Sequence, residues 1–156
     1  MSSPTVDQII AAIVTRLQAL PDAGIVHDRL RYAADAKRLK DLFVSAGRLR
    51  GWTVRRRSTL ETAQGRGRNH VQHVFEIVLV VGWNDEDSAA EFDRLIEAAR
   101  DAFRADDDLG GLVATTGAGE GPGSTIGLQL EDSQPAMFAG ALVHLGQMAL
   151  TTRHHV

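Results

Sequence analysis

The stretch HVQHVFEIVLVVGW, His70 to Trp83, alternates in character: Val71, Phe75, Ile77, Leu79 and Val81 fall on one side of an extended chain. Successive strand side chains point to opposite faces, so this spacing predicts a strand with an apolar face. From Ile77 onward Val78 and Val80 make the other side apolar as well, which predicts that the second half is central and covered on both faces. Just upstream, Leu49 to Leu60 reads as a strand with Trp52 and Val54 on one side, ending near Glu61. The segment AQGRGRN, residues 63–69, joins the two as a hairpin tip, because its glycines supply turn conformations.

Outside this hairpin the period changes to that of a helix. Ala89, Phe92, Leu95, Ile96, Ala99 and Phe103 recur at i, i+3, i+4, i+7 spacing, which predicts an amphipathic helix from Glu86 to Arg104. The acids of Asn84-Asp85-Glu86-Asp87-Ser88 favour the positive end of its dipole and read as its cap. Thr5 to Leu20 has the same spacing through Val6, Ile9, Ile10, Ile13, Val14, Leu17 and Leu20, with Thr5 as N-cap. Residues 21–24, Pro-Asp-Ala-Gly, stop that helix. Ile25-Val26 can start a short strand, and Tyr32 to Phe43 reads as a short helix or an ordered loop. A turn at Asp106-Asp107-Asp108 leads to Leu112-Val113-Ala114. After the glycine-rich residues 117–123, Thr125 to Glu131 and Phe138 to Thr151 read as two strands on either side of Pro135. No repeat or linker breaks the order. The expectation is one domain over residues 1–156 in the α+β class: a mostly antiparallel sheet with the N-terminal and central helices packed on it.

Composition narrows the class further. A chain of 156 residues with 44% hydrophobic content can bury one sizeable core and is too short to divide comfortably into two. A net charge of −3 gives no global attraction to nucleic acid or an acidic membrane. There is no cysteine, so disulfides, thiolate nucleophiles and cysteine metal sites are excluded together, which suits a reducing cytoplasm. The first residues lack a basic stretch followed by an apolar run, and the longest apolar run, Ile77 to Val81, is far short of the roughly 20 residues of a membrane helix. The chain is expected to be soluble and to stay inside the cell that makes it.

Each candidate for chemistry has a plainer explanation. His70-x-x-His73 has a spacing that could feed a metal on a helix, but in a strand the two side chains point apart. His144 interrupts an apolar strand and reads as a satisfied core or interface histidine, while His154 and His155 fall at a chain end, where disorder is the default. The GAGEGPG run, residues 117–123, has no Gly-Lys pair, lacks a donor at Pro122, carries Glu120 and precedes a strand, so it is a β-connection and no phosphate loop. Asp106-Asp107-Asp108 lacks the alternating ligands and terminal Glu of a calcium loop, and no Gly-x-Ser-x-Gly elbow is present. No catalytic residue, cofactor or metal is expected.

Charge distribution carries more information. Arg48, Arg50, Arg55, Arg56, Arg57, Arg66 and Arg68 crowd one strand–hairpin segment in which Glu61 is the only acid. Residues 85–108 are acidic, including Asp106 and Asp107, with Arg94, Arg100 and Arg104 as counterweights. Such a pattern is either two solvated faces with internal salt bridges or a bipolar subunit. In the second case the basic hairpin meets the acidic edge of a neighbour head to tail, and such contacts close into rings or run into filaments.

The order of segments also has a counterpart. A short amphipathic N-terminal helix precedes RLRGWTV (48–54). HVFEIVLVVG (73–82) leads into DSAAEFDRLIE (87–97), and PAMFAGALVH (135–144) opens the closing strand. Over nearly its full length this pattern resembles the tail terminator, or tail completion, proteins of long-tailed bacteriophages and prophages. The resemblance implies a structural virion protein with no catalytic residues. It would form a hexameric ring on the growing tail tube, end tube polymerisation and present a surface to head-completion proteins. Its partners would be further copies of itself, the tube protein and a connector, and its place first the host cytoplasm and then the head-proximal end of the tail. Two other classes remain open: another connector or tube component, and a small ligand-binding or enzymatic domain on a ferredoxin-like sheet, which would need a deep pocket with perturbed titratable groups.

Overall fold

A computed structural model describes residues 2–119 and 121–156; Met1 and Glu120 lie outside the described residues. In chain order the elements are α1 (Val6–Gln18), β1 (Ile25–His27), α2 (Ala36–Phe43), β2 (Val44–Ser45), β3 (Arg48–Ala63), β4 (Asn69–Gly82), α3 (Ser88–Ala105), β5 (Thr115–Thr116), β6 (Leu128–Phe138) and β7 (Ala141–His155). The strands form one sheet in the order β1-β3-β4-β7-β5, with β2 added to β3 and β6 to β7. Only the β1–β3 pair is parallel; the rest are antiparallel. The fold is α+β, as expected.

The two long helices share one face of the sheet because each has a single apolar stripe to bury. Thr5 caps α1 reciprocally: its hydroxyl accepts from the Gln8 N–H at 3.2 Å, and its own N–H donates to Gln8 Oε1 at 2.9 Å. Ile9, Ile13 and Leu17 of α1 and Phe92, Leu95, Ile96, Ala99 and Phe103 of α3 then form one core with Trp52, Val54, Phe75, Ile77, Leu79 and Val81. Val71 is buried too, but next to His154 in the β4–β7 register, outside that cluster. The indole N–H of Trp52 donates to the Ala23 carbonyl at 2.8 Å, so the largest core side chain leaves no orphaned donor.

Of the helix and loop readings of Tyr32 to Phe43, the helix holds for residues 36–43, capped by Asp35 accepting from the Arg38 N–H at 2.9 Å. This helix lies on the opposite face, where Phe43 covers Gly51 and packs with Leu39, Leu42, Leu49 and Phe138. Other elements depart from the sequence reading. α3 begins at Ser88 and not at Glu86; Asp87 is its N-cap by position but makes no side-chain cap bond. Asn84 and Ser88 build the entry instead: Ser88 Oγ accepts from the Asn84 N–H at 2.8 Å, and Asn84 Oδ1 accepts from the Glu86 N–H at 2.9 Å. Pro135 does not separate two strands. It lies within β6 opposite His144, on an edge strand where its missing N–H costs no ladder bond, and the break comes at Ala139-Gly140, both with positive φ. β7 also runs four residues further than expected, because β4 offers it a partner along its whole length.

Candidate functional site

The arginine-rich segment is the part of the chain to which the sequence assigned an interface. β3 presents most of it, and the fold pairs four of the seven side chains internally. Arg48 and Arg50 both reach Glu91 on α3; Arg50 and Glu91 are each buried, with the Arg50 guanidinium also donating to the Asp22 carbonyl at 3.0 Å. Arg55 grips Glu76 of β4 with two bonds, 3.1 and 3.3 Å. Arg57 grips Glu131 of β6 in the same way, at 2.9 and 3.2 Å. Arg57 and Glu131 each occupy a bulge, one in β3 and one in β6, so their pair spans the two strands between. Its hydrogen bonds hold the Glu131 carboxyl below the usual carboxylate range and raise the Arg57 guanidinium.

Arg56, Arg66 and Arg68 differ. All three are exposed, and among the described residues none of their side chains has a carboxylate partner. Arg66 is at the apex of the β3–β4 turn, where it and the flanking Gly65 and Gly67 all have positive φ. Gln64 N–H to Arg68 O at 2.8 Å closes the loop beneath them. The backbone therefore presents the Arg66 and Arg68 side chains at one end of the sheet, on the turn beyond the last β4–β7 pair, His70 with His155.

The acidic side resolves in a similar way. Asp106 pairs with Arg16 of α1 and accepts from the Gly110 N–H at 2.9 Å; the backbone bond first, and then the arginine, lower its pKa. Its role is to tie the turn after α3 to α1. Asp107 is exposed, and its carbonyl receives the Thr116 N–H. Asp85, Glu86 and Asp93, around the start of α3, are exposed and have no cation partner among the described residues. They follow β4 at the end remote from the arginine tip. α2 with Lys37, Arg38 and Lys40 covers the other face of the sheet there, so the acidic character belongs to the helix side.

Trp83 stands among these acids with 40% of its surface exposed. Its ring stacks on His144 at 4.3 Å and 17°, and His144 stacks in turn on Phe92 at 5.3 Å and 26°. The indole N–H donates to Asp85 at 2.6 Å, and His144 Nε2 is 2.8 Å from Ser88 Oγ. The sequence reading of His144 as a satisfied histidine agrees with this, but nothing in the local pattern brought Trp83, His144 and Phe92 together. A shallow depression of about 250 Å³ opens beside them, reaching Asp93, Ser133 and Pro135.

The remaining histidines need one correction. His70 and His73 fall on opposite faces of β4, as strand alternation requires. His154 and His155 are not a loose end: β7 holds them against Val71 and His70, and His154 is buried. His73 and His154 share the helix-side face with ring centres 5.5 Å apart, and His73 Nδ1 is 2.7 Å from Thr59 Oγ1. Burial lowers both pKa values, helped by His154 and Arg56 for His73 and by His70 and His155 for His154. Among the described residues, no group of three or more His, Asp or Glu could hold a metal ion, and no helix is long and apolar enough to cross a membrane. A cavity of about 370 Å³ lies between α1 and the turn at Asp106, and the paired Arg16 and Asp106 line it. The 117–123 loop is closed by paired Ala118 and Thr125, and β6, not a helix, follows it. Comparison with protein-family models and with curated proteins finds no match.

Proposed function

We propose that the chain is a structural ring subunit of the tail-terminator kind, one that caps a phage tail tube, ends its polymerisation and offers the joining surface to head-completion proteins. A single observation carries the reading furthest: the β3–β4 turn at one end of the sheet carries arginines with no carboxylate partner among the described residues, while acids without a cation partner gather on the α3 side of the far end. Charge arranged in this way supports head-to-tail association, which is heterologous and closes into rings where the rotation allows. The internal pairing of Arg48, Arg50, Arg55 and Arg57 narrows the interface from the whole segment to Arg56, Arg66 and Arg68. Exposed ion pairs contribute only about 0–1 kcal/mol each, so apolar contacts must assist, and the tube itself is the natural template.

Sedimentation of the protein alone and with tail-tube protein, with electron microscopy of the tube ends, tests the proposal. Ring-sized particles or capped tubes of uniform length, weakened by salt, are expected. A monomer that leaves tube ends free and tube length unlimited would remove the tail-terminator reading.

A further inference from the structure

We infer that the depression formed by Trp83, Phe92, Pro135 and His144 is the acceptor for the Arg66–Arg68 tip of a second copy of this chain. The choice of a second copy rests on the ring reading above; the acceptor itself rests on geometry. Trp83 is a large aromatic surface left two-fifths exposed yet held on one face and at one edge. Stacking on His144 fixes the plane of the ring, the Asp85 carboxylate fixes its N–H edge, and Ser88 and Phe92 fix His144. A rigid aromatic anchor loses little freedom on binding, which is why Trp recurs at the centres of interfaces.

The chemistry of the rim selects the guest. Asp93 lines the depression and has no cation partner among the described residues, and Asp85 touches the indole itself. An indole face bordered by carboxylates suits a guanidinium, which can stack on the ring and pair with a carboxylate in the same plane. It disfavours phosphate and therefore nucleic acid. The chain has a matching donor in Arg66 and Arg68, exposed and free of carboxylates.

The two surfaces cannot meet within one subunit. The tip precedes β4 and Trp83 follows it, and the fourteen residues Asn69–Gly82 of that strand separate them by about 45 Å at ~3.3 Å per residue. The tip of one copy can therefore reach only the depression of another. That contact joins opposite ends of identical molecules, which is the geometry a ring needs.

Because the chain contains no cysteine, the contact can be tested directly by site-specific cross-linking. One full-length protein carries Gln64→Cys beside the tip, a second carries Ser133→Cys in the depression, and a short bismaleimide joins them. Cross-linked dimers should form in the mixture and hardly at all in either protein alone. Asp93→Lys, an exposed change that should leave the fold intact, and Trp83→Ala should each lower the yield about tenfold or more, as loss of an interface anchor does. Equal yields in the mixture and in the separate proteins, or yields unaffected by Asp93→Lys, would overturn the assignment. So would transfer of the Ser133→Cys cross-link to tube protein when that is added. Tube capping by the wild type without the tip-to-depression cross-link would discard this contact and leave the ring reading standing. The cross-link without capping would keep the contact and discard the role at the tail end.

Discussion

Replacing Phe92 by Ala probes the packing of α3 against the sheet. Phe92 is 3% exposed and lies over Gly146 of β7, where an added Cβ would come within 2.9 Å of its Cζ and 3.4 Å of Ile96 Cδ1. Gly146 is thus the slot in the sheet that lets α3 approach, and Phe92 fills it. Truncating a buried Phe to Ala costs about 3–5 kcal/mol, through lost transfer free energy and the cavity left behind. For a domain of this size that corresponds to a fall in melting temperature of roughly 6–20 °C. The reciprocal change, Gly146→Ala, should cost about 1–3 kcal/mol in the wild type, because the new methyl group would stand 2.9 Å from the Phe92 ring and force it to shift. In the Phe92→Ala background the same methyl enters the cavity, so its cost should vanish or reverse. Urea unfolding of the four proteins gives the coupling energy directly, expected at about 1–3 kcal/mol. A Gly146→Ala cost equal in both backgrounds would refute the contact, and an unchanged melting temperature for Phe92→Ala would show that α3 docks elsewhere.

The ion pairs should differ sharply in worth. Glu91→Ala leaves the buried Arg50 guanidinium with only the exposed Asp22 carboxylate, 3.9 Å away, and should cost about 3 kcal/mol in urea unfolding, whereas Arg57→Ala, breaking a pair in which both partners are about two-fifths exposed, should cost about 0–1 kcal/mol. Comparable losses would mean that exposure does not rank these pairs. Acid should weaken the fold through His73 and His154. Both are held below the ordinary histidine pKa, so above about 6.5 they are neutral whether folded or unfolded; below it the unfolded chain binds protons that the folded chain refuses, and stability falls with pH by up to about 1.4 kcal/mol per unit for each group. Urea midpoints measured from pH 7.5 downward should decline, and the His73→Gln, His154→Gln double variant should decline less steeply; identical slopes would clear these residues of the effect.

The parts of this fold that local sequence revealed are those whose partners are periodic within one element. β4 declared itself by alternation from Val71 to Val81, α3 by the spacing from Ala89 to Phe103, and α1 by Thr5 and Gln8 on either side of its first turn. What stayed hidden depends on pairing between distant segments. Arg57 and Glu131 are 74 residues apart and meet only because two bulges turn them toward each other. His73 and His154 become neighbours only through the β4–β7 register, and that register also orders a chain end that composition alone marks as loose. Pro135 misled for a related reason: proline breaks a central strand, but whether a strand is central is a property of the sheet. Of the candidate interface, the clustering of arginines was legible, while the internal carboxylate partners that claim four of them were not.

The outer edge of β3 bears on the proposed ring, because it shows which route to association the fold blocks. β1 and β2 pair with β3 only as far as Thr53, so its outer edge from Val54 to Ala63 has no strand partner among the described residues. A flat apolar edge of that length would recruit strands from other copies and grow without limit. This one is defended by consecutive arginines at 55–57 and by the bulge at Arg57, which twists the backbone and interrupts the hydrogen-bonding repeat. The Arg57–Glu131 and Arg55–Glu76 pairs hold those side chains over the sheet at little cost in stability. The same arginines that look like an interface in the sequence therefore act along most of β3 to prevent one. Arg56, Arg66 and Arg68, exposed and without carboxylate partners among the described residues, are the exceptions. Under the proposed ring reading, an edge that refuses strand addition leaves contacts between copies to side chains at the two ends, which is what an assembly of limited size requires.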